Sequence, residues 1–78
     1  MENLKIKEAR ENKNLEQKEV AHILKCKQQQ ISRMEIDEPP IYIHRLIELA
    51  YLYDTSIDYM LGLTDIKKPY PRTIKKER

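Results

Sequence analysis

The stretch QKEVAHILKCKQQQISRM, residues 17–34, decides how this 78-residue chain folds. Its first half carries apolar residues at positions i, i+1 and i+4, the stripe of an amphipathic helix: Val20, Ala21 and Leu24. Its second half has two apolar anchors three residues apart, Ile31 and Met34, in otherwise mostly polar sequence. The stretch therefore predicts two short helices separated by a tight turn at Lys25-Cys26, the second offering a broad polar face.

The polar face of the second helix has a composition suited to nucleic acid. It is formed by Lys27, Gln28, Gln29, Ser32 and Arg33. Glutamine recognises adenine edges, arginine recognises guanine edges, and a short helix fits the major groove of DNA. The alternative is a solvated surface helix, but three consecutive glutamines and an arginine are a poor choice for solubility alone. The pattern indicates a helix-turn-helix.

Length and composition restrict the remaining possibilities. A chain of 78 residues forms one small domain, and one glycine with no sustained apolar–polar alternation favours an all-helical fold. A single cysteine, Cys26, excludes an intrachain disulfide and favours a reducing compartment. No apolar run is long enough to span a membrane, and the charged N-terminus is unlike a secretory signal. We expect a cytoplasmic protein with no membrane association.

Charge divides the chain into two parts. Residues 1–65 carry nine basic and twelve acidic side chains, a net charge of −3, whereas residues 66–78 carry six basic side chains and one acidic one, a net charge of +5. We therefore expect a folded domain over 1–65 and a basic, largely extended or disordered tail over 66–78. The tail is either a solvated end or a second DNA-contacting arm.

The pattern along the chain predicts five helices. The expected ranges are about 3–13, 16–24, 28–35, 42–53 and 57–61. Asn3 is a candidate cap for the first, Pro39-Pro40 separates the third from the fourth, and Gly62 ends the fifth. The fourth is the most apolar, and we expect one broad stripe of it to form the spine of the core: Ile43, Leu46, Ile47, Leu49, Ala50 and Tyr53.

Four spaced segments show a resemblance to a known family. They are LxQxEVA at 15–21, QQQISRME at 28–35, LIxLA at 46–50 and SIDYMLGL at 56–63. In this order they resemble the lambda-repressor-like helix-turn-helix domains, the Cro/repressor or XRE-type regulators of bacteria and phages. The resemblance covers residues 6–63 and implies an all-α, five-helix DNA-binding domain whose helices 2 and 3 form the helix-turn-helix.

The resemblance also implies roles for individual residues. Base contacts are expected from the recognition helix, at Gln28, Gln29, Ser32 and Arg33. For Arg33, a phosphate contact is an equal alternative to a base contact. The resemblance implies a contact with the DNA backbone at Gln17 and one with phosphate or base at Lys27. Further backbone contacts are expected at Lys18, Tyr42 and Arg45, which do not match named family positions. Arg10 and Glu35 match a pair that, in some members of the family, forms a salt bridge from helix 1 to the end of helix 3.

The chain departs from the family pattern in its turns and in one loop. Glycine is usual where Asn14, Lys25, Asp37 and Asp54 stand, and of these Lys25 tolerates a positive φ least well. The loop after helix 3 is often basic in the family, but here it contains Asp37-Glu38. Tyr42, His44 and Arg45 are the nearby substitutes for gripping phosphate on that side.

The function implied is sequence-specific regulation of transcription. We expect a homodimer on a roughly palindromic operator, acting as a repressor, with Tyr59, Leu63 and Ile66 around helix 5 forming the dimer surface. An alternative is a protein-interaction module or an antitoxin that keeps the fold, with a toxin or antirepressor as partner.

Enzymatic and metal-binding roles are disfavoured. No His, Ser or Asp constellation converges in the sequence, so we expect no enzyme and no cofactor. His22 and Cys26 are four residues apart, but two ligands do not make a tetrahedral site. Cys26 stands where the family places an aliphatic core residue, and we expect it to be buried.

Overall fold

The computed structural model describes residues 4–38 and 41–69, and these residues form five helices and no strand. The helices are α1 (Ile6–Asn12), α2 (Gln17–Leu24), α3 (Gln28–Glu35), α4 (Ile43–Tyr53) and α5 (Ile57–Met60). The all-α, five-helix prediction is confirmed. Over the same ranges, no helix has the length and apolar character needed to cross a bilayer.

Each helix contributes apolar residues to one core. The core residues, all at most 5% exposed, are Ile6, Ala9, Val20, Ala21, Ile31, Met34, Leu46, Leu49, Ala50, Tyr53, Tyr59 and Met60. Cys26 is half-buried and packs against this cluster. The helix-turn-helix is thus anchored by the two apolar pairs that its sequence shows, Val20 with Ala21 and Ile31 with Met34.

The stripe expected on α4 is narrower than the sequence suggested. Leu46, Leu49, Ala50 and Tyr53 are buried, but Ile43 and Ile47 are 65% and 41% exposed. With about 100° between successive residues, these two isoleucines fall on one side of the stripe, away from its buried centre. The prediction that they belong to the core is wrong, because hydrophobicity alone does not reveal which side of a helix has a neighbour.

The first helix begins later than expected. Asn3, the predicted cap, lies outside the described residues, and α1 starts at Ile6 with Lys5 in the N-cap position. The Lys5 backbone N–H donates to the Met60 carbonyl oxygen at 2.8 Å. This bond ties the entry to α1 to the end of α5, so the chain leading into the helix follows a neighbour that is distant in sequence.

Four turns place a residue other than glycine in the left-handed region. Asn14, Lys25, Asp37 and Asp54 have φ between 54° and 60°, the four positions where the family usually has glycine. Asn and Asp accept this conformation through short polar side chains, whereas a long side chain such as Lys pays its steric cost. The turn between α2 and α3 therefore contains local strain at Lys25.

The segment after α5 returns to the start of that helix. Ser56 caps α5 by accepting a hydrogen bond from the Tyr59 N–H at 3.0 Å, and its hydroxyl donates to the Ile66 carbonyl oxygen, also at 3.0 Å. The Ser56 N–H and the Thr55 hydroxyl both donate to the Lys67 carbonyl oxygen. Ile66 and Lys67, placed in the tail by their charge pattern, are thus tied to the domain; residues 70–78 lie outside the described residues.

Replacing Lys25 by glycine should stabilise the protein. Glycine adopts φ near +58° without the steric cost of a Cβ atom, so Lys25→Gly should raise the free energy of unfolding by up to about 1 kcal/mol. Urea unfolding followed by circular dichroism would measure this. The matched control is Lys13→Gly, at a C-cap with φ of −100°, where no gain is expected. Equal effects of the two variants would show that Lys25 is not strained.

Candidate nucleic-acid interface

The turn between α2 and α3 fixes how the polar helix is presented. The Lys25 backbone adopts the left-handed conformation, and the Cys26 N–H donates to the Ala21 carbonyl oxygen at 2.9 Å. Ala21 is 5% exposed, and its small side chain allows the two helices to approach closely. With Ile31 and Met34 buried against the core, the opposite side of α3 must face outward.

The outward side of α3 has a centre and two edges. With about 100° between residues, Gln29 lies near the middle, opposite the buried anchors. Gln28 and Ser32 lie towards α2, because the Gln28 amide nitrogen donates to the Gln17 amide oxygen at 3.3 Å. Gln30 and Arg33 lie towards the start of α4, where they line a small notch with Tyr42. The sequence-predicted base-contacting residues therefore share one surface.

A buried ion pair joins α1 to the end of α3. Arg10 Nε donates to Glu35 Oε2 at 2.6 Å, and Arg10 Nη2 donates to Glu35 Oε1 at 3.3 Å. The third contact of the guanidinium is from Nη1 to the Leu15 carbonyl oxygen at 2.7 Å. The two side chains are only 10% and 2% exposed. The hydrogen bond to Glu35 raises the pKa of Arg10 above its usual value.

Gln17 extends this pair to the beginning of the recognition helix. Its amide nitrogen donates to Glu35 Oε1 at 2.9 Å, and its amide oxygen accepts from the Gln28 amide nitrogen. Since an ionised carboxylate can only accept, the Gln17 NH2 group must face Glu35, and its oxygen must face Gln28. The orientation of the Gln28 amide is thereby set, with its oxygen left as an acceptor.

The sequence-predicted backbone contacts lie in different surroundings. Lys18 and Lys27 are exposed, and Tyr42, the N-cap of α4, is 44% exposed. Arg45 is more constrained, because its Nη1 donates to the Leu24 carbonyl oxygen at 3.1 Å and to Glu48 Oε1 at 2.7 Å. Arg45 thus braces the end of α2 in this structure.

The positions of two residues are not evident from the sequence, one at this interface and one on the predicted dimer surface. Gln30 lines the notch beside Arg33 and Tyr42; its spacing of three residues from Arg33 is the pattern that could have indicated this. Tyr59, expected on a dimer surface, is 2% exposed and packed in the core, while Lys5 and Lys67 place their ammonium groups 5.3 and 5.6 Å from its ring centroid. The prediction for Tyr59 is wrong, whereas Leu63 and Ile66, the other two residues expected on that surface, are exposed.

Comparison with known proteins agrees with this geometry. A helix-turn-helix family model matches residues 6–60, which is most of the chain. The chain therefore belongs to the XRE-type, lambda-repressor-like helix-turn-helix family and is a DNA-binding transcriptional regulator of that type. No curated protein and no solved structure matches the chain significantly.

Breaking the Arg10–Glu35 pair should destabilise the fold strongly. Glu35→Ala leaves the Arg10 guanidinium buried without its counter-ion, which should lower the free energy of unfolding by about 3–5 kcal/mol. The matched control is Glu48→Ala, which removes the carboxylate of the more exposed Arg45–Glu48 pair and should cost about 1 kcal/mol or less. Denaturant unfolding would measure both.

The double variant Arg10→Met with Glu35→Leu separates charge pairing from volume. Replacing both partners of a buried pair by apolar residues is often close to neutral, so this variant should regain most of the stability lost in Glu35→Ala. A Glu35→Ala variant as stable as Glu48→Ala would contradict the importance given to the pair.

Proposed function

We propose that this regulator is a repressor that binds a palindromic operator as a homodimer, with α3 in the major groove. The observation that carries the proposal is the outward face of α3, whose polar side chains lie on a helix held rigidly from behind. Base contacts come from Gln28, Gln29 and Ser32. Lys18 and Lys27 contact phosphates. The proposed location of the protein is the cytoplasm, where it would bind DNA.

The hydrogen bonds of Gln28 favour adenine as its partner. One Gln28 N–H is engaged by Gln17, which leaves the second N–H and the amide oxygen for the base edge. Adenine offers an N7 acceptor and an N6 donor at that spacing. Because the donor and acceptor of Gln28 are positioned before DNA arrives, less side-chain freedom is lost on binding.

Dimerisation is proposed through the region after α5. Leu63 and Ile66 are 64% and 67% exposed there, and a two-fold axis would bring the same residues of two chains together. In such a dimer the two recognition helices would enter successive major grooves about 34 Å apart, so the half-sites should be about one helical turn apart. Repression follows from occupancy, since a small bound protein blocks access to a promoter.

A protein partner is the second candidate function. Ile43 and Ile47, exposed on α4, together with the acidic Asp37-Glu38 loop, favour it, because exposed apolar groups beside charge are common at interaction surfaces. An antitoxin that binds its toxin would fit this alternative. Sequence-specific DNA binding and a protein partner are compatible, so specific binding to DNA would not exclude a partner.

Selection from a random duplex pool tests the main proposal. The protein is equilibrated with the pool at about 50 and 200 mM salt, and bound duplexes are sequenced. We expect an enriched inverted repeat that survives at the higher salt, because base contacts do not depend on counterion release. Weak binding without enrichment, lost as salt rises, would refute specific readout and favour a protein partner.

Truncating the base-contacting glutamines should reduce specificity rather than general affinity. Gln28→Ala and Gln29→Ala should each weaken operator binding by about 1–3 kcal/mol and leave binding to random duplex nearly unchanged. Fluorescence anisotropy on both duplexes would measure this. The matched control is Asn12→Ala, which removes an exposed amide on α1, and it should affect neither. Equal losses on operator and random DNA would refute base readout by these glutamines.

A further inference from the structure

A row of exposed apolar side chains runs along one flank of α4. Ile43, Ile47 and Tyr51 are spaced four residues apart, so they follow one another along the same flank of the helix. Ile43 and Ile47 are the two isoleucines found outside the core, and Tyr51 is 37% exposed. The α4 row, as we call these three residues, extends over about 12 Å of the helix.

The area of the α4 row decides what kind of contact it can make. The exposed fractions of its three residues correspond to nearly one and a half whole side chains. With about 200 Å2 for a large side chain, the row offers roughly 300 Å2, and two such rows would bury roughly 600 Å2 together. Stable dimers bury about 1,200–2,000 Å2. The row is therefore too small to hold two molecules together in solution, and it suits molecules that are already held close to each other.

DNA can hold two molecules close enough for such a contact. Two copies bound at neighbouring sites meet at an effective concentration in the millimolar range, as two linked binding modules do. A contact with a dissociation constant of about 1 mM is then formed about half of the time, although it is negligible for free protein at micromolar concentration. A weak apolar row is thus effective where several copies bind side by side.

The spacing of the α4 row is self-complementary. Ile47 lies midway, and Ile43 and Tyr51 are each four residues away from it. If two α4 helices pair in antiparallel orientation about a two-fold axis, the two Ile47 side chains meet at the axis, and Ile43 of one copy lies beside Tyr51 of the other. This match favours a second copy of the chain as the partner.

The polar edge of the row is complementary in the same arrangement. His44 and Glu48 each follow an isoleucine of the row by one residue, so both lie on its outer edge. Glu48 Oε1 accepts from Arg45 at 2.7 Å, and the Glu48 side chain is 44% exposed. Because a two-fold axis keeps equal edges on the same side, His44 of one copy comes opposite Glu48 of the other. An imidazole N–H can donate to the second carboxylate oxygen there.

We propose that the α4 row is a contact between copies of this regulator bound at neighbouring operator sites, and that it makes their binding cooperative. This contact is additional to the dimer surface after α5, which joins the two chains on one operator. A second copy, rather than a foreign protein, is then what covers Ile43 and Ile47. The inference rests on the proposed function, since it assumes that the protein binds specific sites as a dimer.

Footprinting on DNA with one operator site and with two measures the contact. The distance between the two sites is varied in single base-pair steps over one helical turn. We expect the second site to fill about fivefold or more tightly once the first is occupied, at those spacings that place the two copies in register. Binding to a single site gives the reference affinity.

Charge at the centre of the row should abolish the cooperativity. Ile47→Glu brings two like charges together at the two-fold axis, which opposes association. Its affinity for a single site should stay at the wild-type value. The matched control Ile47→Val keeps the centre apolar and should keep the cooperativity.

A variant of opposite charge tests whether Ile47 meets its own copy. Ile47→Lys alone should also abolish cooperativity, although its charge is attracted to DNA. An equal mixture of Ile47→Glu and Ile47→Lys should regain part of the cooperativity, because opposite charges can then meet at the axis.

The outcomes separate this inference from the proposed function. Specific binding to single sites without cooperativity at any spacing would overturn the α4 contact alone. Cooperativity that survives in Ile47→Glu, or a mixture of the charged variants that stays uncooperative, would do the same and would leave the α4 row to a foreign partner. A protein that shows no sequence-specific binding would overturn both.

Discussion

The buried ion pair between Arg10 and Glu35 is the interaction on which the presentation of the recognition helix depends. It connects helices that are 25 residues apart in sequence, and both side chains are almost entirely removed from water. A buried charge is costly unless it is paired and hydrogen-bonded; here the guanidinium donates three hydrogen bonds, and the carboxylate accepts from both Arg10 and Gln17. The position of α3 relative to α1 is consequently tied to a precise geometry and not only to apolar contact.

The same pair reaches the protein surface through a short relay. Glu35 orients the Gln17 amide, and Gln17 in turn orients Gln28. A long polar side chain normally loses considerable rotamer freedom when it binds a base edge. Gln28 is thus hydrogen-bonded to a network that starts from a buried charge, which connects the buried ion pair to the proposed base readout.

Turn chemistry shows how a chain with one glycine can adopt this fold. Four turns require positive φ, and Asn14, Lys25, Asp37 and Asp54 supply it. Three of them are residue types that accept this region with a short polar side chain. Lys25 is the exception, and it is held in place because Cys26 bonds back to Ala21 and the adjoining helices pack closely. The tight α2–α3 turn thus outweighs the local preference of one residue.

The sequence by itself determined the five helices, the helix-turn-helix and the family, because helical periodicity, proline breaks and spaced family motifs are local or ordered along the chain. It also indicated the polar face of α3, since two apolar anchors leave the rest of a short helix outward. The tertiary structure decided which apolar residues have neighbours: Ile43 and Ile47 are exposed, whereas Tyr59 is buried. It also decided the partners of Gln17 and Arg45, and it brought Gln30 together with Tyr42. These outcomes depend on contacts between residues far apart in the chain, and no periodicity within a single helix records which side of it another helix will cover.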